Sequence, residues 1–314
     1  MSTHTASARS RCTAIPHLLF AALMLTLSAP LHASGSPRGD EDGAFSLGPN
    51  ALHSTRYIAQ RGIRDSLQIT ANFLGADNSP LQLSFTLPRR ALRDSQREHG
   101  IVKAELDAVI ARCQRETGCS QREFERRILA YYRDHGLRPG YDEQQRQRLL
   151  VDVPTAVRRN RERIRPLTQA LQRLAAEQQR DPQWMLETAV ALVQSGLDYK
   201  QPSTWDRGRK IVGFYPPPQA LERGYGDCDT KSALLAAILQ NLGDTPLIGV
   251  HVPQHYLLGI AGTPRAGQAS IQHGGRSYLL IEAAGPARRP PGEVSEVTES
   301  ALAKGVDIRI DPII

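Results

Sequence analysis

Downstream of residue 33 the chain has no apolar run long enough to cross a bilayer, which takes ~20 residues. It has no group of His, Cys and acidic residues at metal-ligand spacing and no glycine-rich phosphate loop, so neither a metal nor a cofactor is expected. No short-period repeat is visible, which argues against a solenoid. Lysine is scarce, and almost all the positive charge is arginine. Cysteine is scarce too: the four are Cys12, Cys113, Cys119 and Cys228.

What is present is a 314-residue chain, 40% apolar and 23% charged. That is ordinary for a soluble globular protein of one or two domains. The N-terminus stands apart. Arg9 and Arg11 precede the apolar run Leu18–Leu27, and Ser28-Ala29-Pro30-Leu31-His32-Ala33 follows. This is the order of a secretory signal, with cleavage expected after Ala33. The run is short for a span, so a cleaved signal is favoured over an uncleaved anchor. The mature protein is expected to be periplasmic or secreted, in an oxidising compartment, with no stable membrane span.

The formal charge is +7, and +5 once residues 1–33, which hold two arginines and no acid, are removed. A pI near 9.4 would suggest nucleic acid as a partner, but a secretory signal argues against it. Arg-rich solvated helix faces are one reading; attraction to an acidic envelope polymer is the other.

Cys12 leaves with the signal. Cys113 and Cys119 are six apart, and Gly118 lets the chain between them turn, so a disulfide is expected. Cys228 is left without a partner. An odd thiol in an exported chain is either reactive or a buried, inert small apolar residue.

Four regions follow from the patterning: the signal (1–33), a Gly/Ser/Asp-rich linker (34–50), an N-terminal region (51–153) of unassigned role and a C-terminal domain (154–314). In the third region Leu67, Ile69, Ala71, Phe73 and Leu81, Leu83, Phe85, Leu87 alternate with polar residues around Gly75–Pro80, a β-hairpin. Thr55-Arg56-Tyr57-Ile58 is a candidate third strand. From Ala91 to Leu150 the pattern is helical, with stripes at Ile101, Val102, Leu106, Val109, Ile110 and at Phe124, Ile128, Leu129. The last region predicts helices over 155–179, 182–195 and 228–242, an irregular stretch over 197–226, and strands over 247–252, 256–260, 278–282 and 306–310. Helices followed by an antiparallel sheet make the fold class α+β.

The chemistry concentrates in Gly224-Tyr225-Gly226-Asp227-Cys228-Asp229-Thr230-Lys231-Ser232. Asp227 is a good N-cap, which puts Cys228 in the first helical turn. Free backbone N–H groups and the positive helix end favour a thiolate there. Asp227 and Asp229 push the other way. A thiol nucleophile needs a histidine, and the histidine an orienting acid. A helix to Leu242 is ~22 Å long, and a strand from Pro246 needs ~7 residues to return. The chain then turns at Pro253-Gln254, so His255 opens the next strand level with Cys228. The strand from Arg276 brings Glu282 to the same end. His251, on the preceding strand, remains a second candidate.

Gly226-Asp227-Cys228-Asp229-Thr230-Lys231-Ser232-Ala233-Leu234-Leu235, followed by Gln254–Gly259 and Tyr278–Glu282, resembles the transglutaminase-like cysteine proteinase superfamily, in particular its bacterial exported members. Ala189–Gln194 through Tyr199 is similar to the helix that precedes the motif there, and the resemblance covers about residues 155–290. It implies a papain-like core and a catalytic set of Cys228 as nucleophile, His255 as base then acid, and Glu282 as orienter. Many relatives have Asp at the third position; Glu282 is one methylene longer. The resemblance implies cleavage of an amide or peptide bond in a protein or peptide of the cell envelope through a Cys-linked acyl intermediate. Acyl transfer to an amine at the same site, and a non-catalytic binding module on the same fold, are the alternatives.

Overall fold

A computed structural model describes residues 57–63, 65–142, 145–305 and 308–313. The expected signal (1–33) and linker (34–50) lie outside the described residues, as do Thr55 and Arg56.

Strands β1 (Tyr57–Ile63), β2 (Ser66–Leu74) and β3 (Pro80–Pro88) form an antiparallel meander. Leu67, Ile69, Ala71 and Phe73 share one buried face with Leu81, Leu83, Phe85 and Leu87. A one-residue slip would turn that set outward, so the alternation fixes the register. Helices α1 (Arg89–Arg97), α2 (Lys103–Arg115) and α3 (Gln121–Asp134) follow. Cys113 and Cys119 are joined by a disulfide, their Cα atoms 5.6 Å apart, between α2 and α3. Leu106, Ile128, Tyr131 and Tyr132 close a small core with Ile101 and Leu137. Leu129, expected on that stripe, is exposed instead.

The pattern read as helical through Leu150 ends early. Strands β4 (Leu137–Tyr141) and β5 (Gln147–Val151) pair antiparallel there as a hairpin. Pro139 cannot continue a helix, and Gly140 faces Leu150 so closely that a Cβ there would collide with it. The helix expected over 155–179 is two helices, α4 (Val153–Asn160) and α5 (Arg165–Glu177), separated by a 3-10 turn at Glu162–Ile164. Pro166 in the first turn of α5 has no N–H to continue the ladder from α4. Next comes α6 (Pro182–Gly196). The stretch expected to be irregular contains α7 (Pro217–Arg223), whose prolines occupy a first turn that needs no N–H.

Helix α8 (Cys228–Leu242) is the hub. Every residue from Thr230 to Leu239 is buried, because α8 packs against α4, α5, α6, α7 and the sheet at once. The sheet is antiparallel, ordered β8 (Ser270–His273), β9 (Arg276–Ile281), β7 (His255–Ala261), β6 (Leu247–Val252), β10 (Arg309–Ile313). Helix α9 (Glu296–Lys304), absent from the sequence reading, precedes β10. The last strand starts at Arg309 rather than at Val306, which is outside the described residues. The architecture is mixed α+β with an antiparallel sheet. No helix among the described residues is long and apolar enough to cross a membrane.

Residue 153 marks a change of element, not an edge of the core. One apolar cluster runs from Leu67 and Phe85 through Leu171, Val193 and Leu234 to Ile281 and Ile313. Burial of each such side chain contributes about 1.5–3 kcal/mol. Ile69→Ala, deep in this core, is expected to cost about 2–5 kcal/mol, whereas Gln68→Ala stays within about 0.5 kcal/mol. Urea unfolding followed by Trp fluorescence and by circular dichroism should give one coincident transition, shifted by Ile69→Ala as a whole. Two separated transitions would contradict the continuous core.

Candidate active site

Asp227 caps α8, its carboxylate facing the Thr230 N–H at 3.4 Å, while Asp229 accepts from the same N–H at 2.8 Å. Cys228 is therefore the first residue of the helix. Its thiol is free and half-buried. It lines a cleft of about 610 Å³ together with His251, Val252, Pro253, Gln254, His255 and Tyr256.

Those residues come from the turn between β6 and β7. Val252 pairs with His255, and Gln254 takes a positive φ of 58°, so the chain reverses over the start of α8. Ser232 donates to the Tyr256 carbonyl at 3.3 Å, which fastens β7 to the helix. Gly249 on β6 leaves room for the Tyr256 ring, since a Cβ there would collide with it.

Nε2 of His255 hydrogen-bonds Oε1 of Glu282. Glu282 follows directly on β9 and is buried, and its second oxygen has no partner among the described residues. An imidazolium forming at His255 would face a desolvated carboxylate, where attraction is strongest. With Nε2 engaged, Nδ1 is the nitrogen left for the thiol.

The structure thus brings together Cys228 and His255 in one cleft, and His255 and Glu282 in one hydrogen bond. His251 lines the same cleft, but Asp311 holds its Nε2 at 2.8 Å. Burial favours a neutral Asp311 carboxyl, yet the His251 hydrogen bond and the Arg138 charge outweigh it and hold the group below the usual range.

The expectation of a standing thiolate needs correction. Burial, then the charges of Asp229 and Asp227, push the Cys228 thiol up to about 12, against hydrogen bonds from the Tyr256 and Asp229 amides. The helix end is outweighed by desolvation. Asp229 is itself pushed well up, by burial first and then by its hydrogen bond to Asp227. A raised Asp229 carboxyl carries less negative charge beside the sulfur than an ordinary one.

Two residues in the quoted motifs had no role assigned from sequence. Lys231 is fully buried, and its Nζ donates to the carbonyls of Leu197 at 3.0 Å and Gln194 at 3.3 Å. These oxygens lie at the C-terminal end of α6, where carbonyls lack helical partners and a cation is favoured. Buried Gln194 donates to the carbonyls of Glu282 at 2.6 Å and Arg289 at 2.8 Å. One turn of α6 therefore sets both α8 and the strand end carrying Glu282. A lysine inside an otherwise apolar helix was the available signal. Tyr199, exposed and paired with Gly226, is close enough to feel the charges of Cys228 and Asp227; burial and then those charges raise its phenol.

Region 51–153 contributes to the site: Tyr141, Asp142, Gln145, Leu150 and Val151 of the β4–β5 hairpin line the cleft. Among the described residues no cluster of His, Cys and acids could hold a metal ion. No family model, no curated protein and no solved structure matches the chain.

A neutral resting thiol predicts that iodoacetamide alkylation of Cys228 climbs with pH and is still rising at about pH 10. Asp227→Asn combined with Asp229→Asn removes the neighbouring charge and keeps a capping side chain. It should speed labelling at about pH 8 by roughly two- to tenfold. A labelling rate already level at about pH 7 would contradict the assignment.

Proposed function

We propose that the protein is a thiol hydrolase that cleaves an amide or peptide bond through an acyl group carried on Cys228. The observation that carries this reading is one cleft lined by both the free Cys228 thiol and His255, itself bonded to buried Glu282. The cleft volume suits a segment of peptide. An antiparallel sheet packed on a helix that begins with the cysteine agrees with a papain-like, transglutaminase-like core.

The reaction follows from the protonation states. As Sγ attacks the substrate carbonyl, the thiol proton passes to His255 and the new charge on the ring is met by Glu282. The positive end of α8, where Cys228 sits in the first turn, favours the developing oxyanion. His255 then gives the proton to the leaving nitrogen and the C–N bond breaks, leaving a thioester. Water, deprotonated by His255, attacks the thioester; the acid departs and the thiol is restored. Exposed Tyr141 and Arg309 sit on the cleft wall, so the cleft opens to solvent; water as the acceptor makes the reaction a hydrolysis, an amine as the acceptor a transfer. A protein or peptide of the cell envelope is the substrate this reading entails, and the periplasm is its setting.

p-Nitrophenyl acetate tests the reading without knowledge of the natural substrate. Wild type should give a burst of p-nitrophenolate and one acetyl group on Cys228 by peptide mass mapping. Cys228→Ala abolishes both, and His255→Ala slows acylation by roughly 10²–10⁴-fold. Acetylation that persists in Cys228→Ala, or is indifferent to His255, would refute the assignment. With an added primary amine, acetate should remain the dominant product; an acetylated amine instead would favour transferase chemistry.

A further inference from the structure

Three arginines of the β4–β5 hairpin, which lends residues to the cleft wall, are each held by a carboxylate. Arg138 donates to both oxygens of Asp311 at 2.8 Å. Arg146 and Arg148 both donate to Asp142, at 2.8 and 3.1 Å. Arg309 lines the same cleft, is exposed, and has no carboxylate partner among the described residues. It stands directly across from His251 in the β6–β10 pairing, two residues from Asp311 on the same face of β10. The acids that line the cleft are committed: Asp142 to its two arginines, and Asp229 to the Thr230 N–H at 2.8 Å.

A guanidinium left open on the wall of a cleft that holds a nucleophilic thiol is a ready receptor for a carboxylate, which it can bind with two parallel hydrogen bonds. The imidazole of His251, fixed through Nε2 by Asp311, forms the adjoining surface and limits where that carboxylate can sit. The positive net charge of the chain, +7, would draw anionic chains toward the site.

We infer that Arg309, with His251 beside it, forms an anion subsite that selects acidic peptides, placing a substrate carboxylate near the bond Cys228 attacks. This inference rests on the thiol-hydrolase reading, and its test separates the two. The probes are the α-amides of iodoacetyl-glutamate and iodoacetyl-glutamine, which differ by one carboxylate. In each, a C–S bond forms at Cys228 as the C–I bond breaks, iodide leaves, and the thiol proton goes to His255. Second-order rates are normalised to those with free cysteine.

Wild type should react about tenfold faster with the glutamate probe, a preference that shrinks as salt is raised. Arg309→Gln should bring the ratio to within about twofold of unity while leaving the glutamine-probe rate unchanged. Arg309→Glu should reverse it. No preference in wild type, or one that survives Arg309→Gln, overturns the subsite. An intact, Arg309-dependent ratio whose rates ignore His255→Ala would support the subsite and count against the catalytic reading alone.

Discussion

A buried ammonium group sets the geometry on which the rest depends. Lys231 lies inside the core helix with no solvent contact, its charge met by carbonyls at the end of α6. An unpaired charge there would cost several kcal/mol, so α8 cannot rotate or slide without stranding it. Lys231 lies one turn from Cys228, and the fixed helix fixes the thiol. Gln194, on the same turn of α6, holds the backbone of Glu282. Cys228 and Glu282, 54 residues apart by their numbers, are thus referred to one point, and His255, at the start of a strand pinned by Ser232, hydrogen-bonds Glu282.

The same burial decides the electrostatics. A helix N-terminus favours a thiolate by about a kcal/mol or less when exposed. Removing the sulfur from water works against it, and the Asp227–Asp229 pair adds a like charge. The resting thiol is held protonated, and the proposed chemistry therefore assigns its activation to His255 during the attack. Burial pushes the Asp229 carboxyl up, which limits the repulsion, and Asp227 keeps its place as cap. A protonated cysteine is also a poor target for oxidants.

Much of this was legible because it is local. The alternation of β2 and β3, the capped start of α8 and the turn at Pro253-Gln254 are short-range patterns, and counting residues along α8 and β6 is enough to bring His255 back to Cys228. Glu282 follows by the same path, although the loop before it forms an extra edge strand, β8. What escaped is long-range or broken by proline. The β4–β5 hairpin lay hidden in an arginine-rich stretch of helical composition, and with it the contribution of residues 141–151 to the cleft. The prolines that read as irregular chain at 216–218 open α7 instead. Lys231 with Gln194, and Arg138 with Asp311, pair residues 37 and 173 positions apart, which no local pattern encodes.

The central claim is that Cys228 attacks as a thiol that loses its proton to His255 in the same step. The most direct measurement is the rate of Cys228 acylation in H₂O and in D₂O at matched acidity. A proton in flight during attack predicts a slower wild-type reaction in D₂O, and no such slowing in the residual reaction of His255→Ala. Equal wild-type rates in the two solvents would mean that the proton had already left before the attack, contradicting the account.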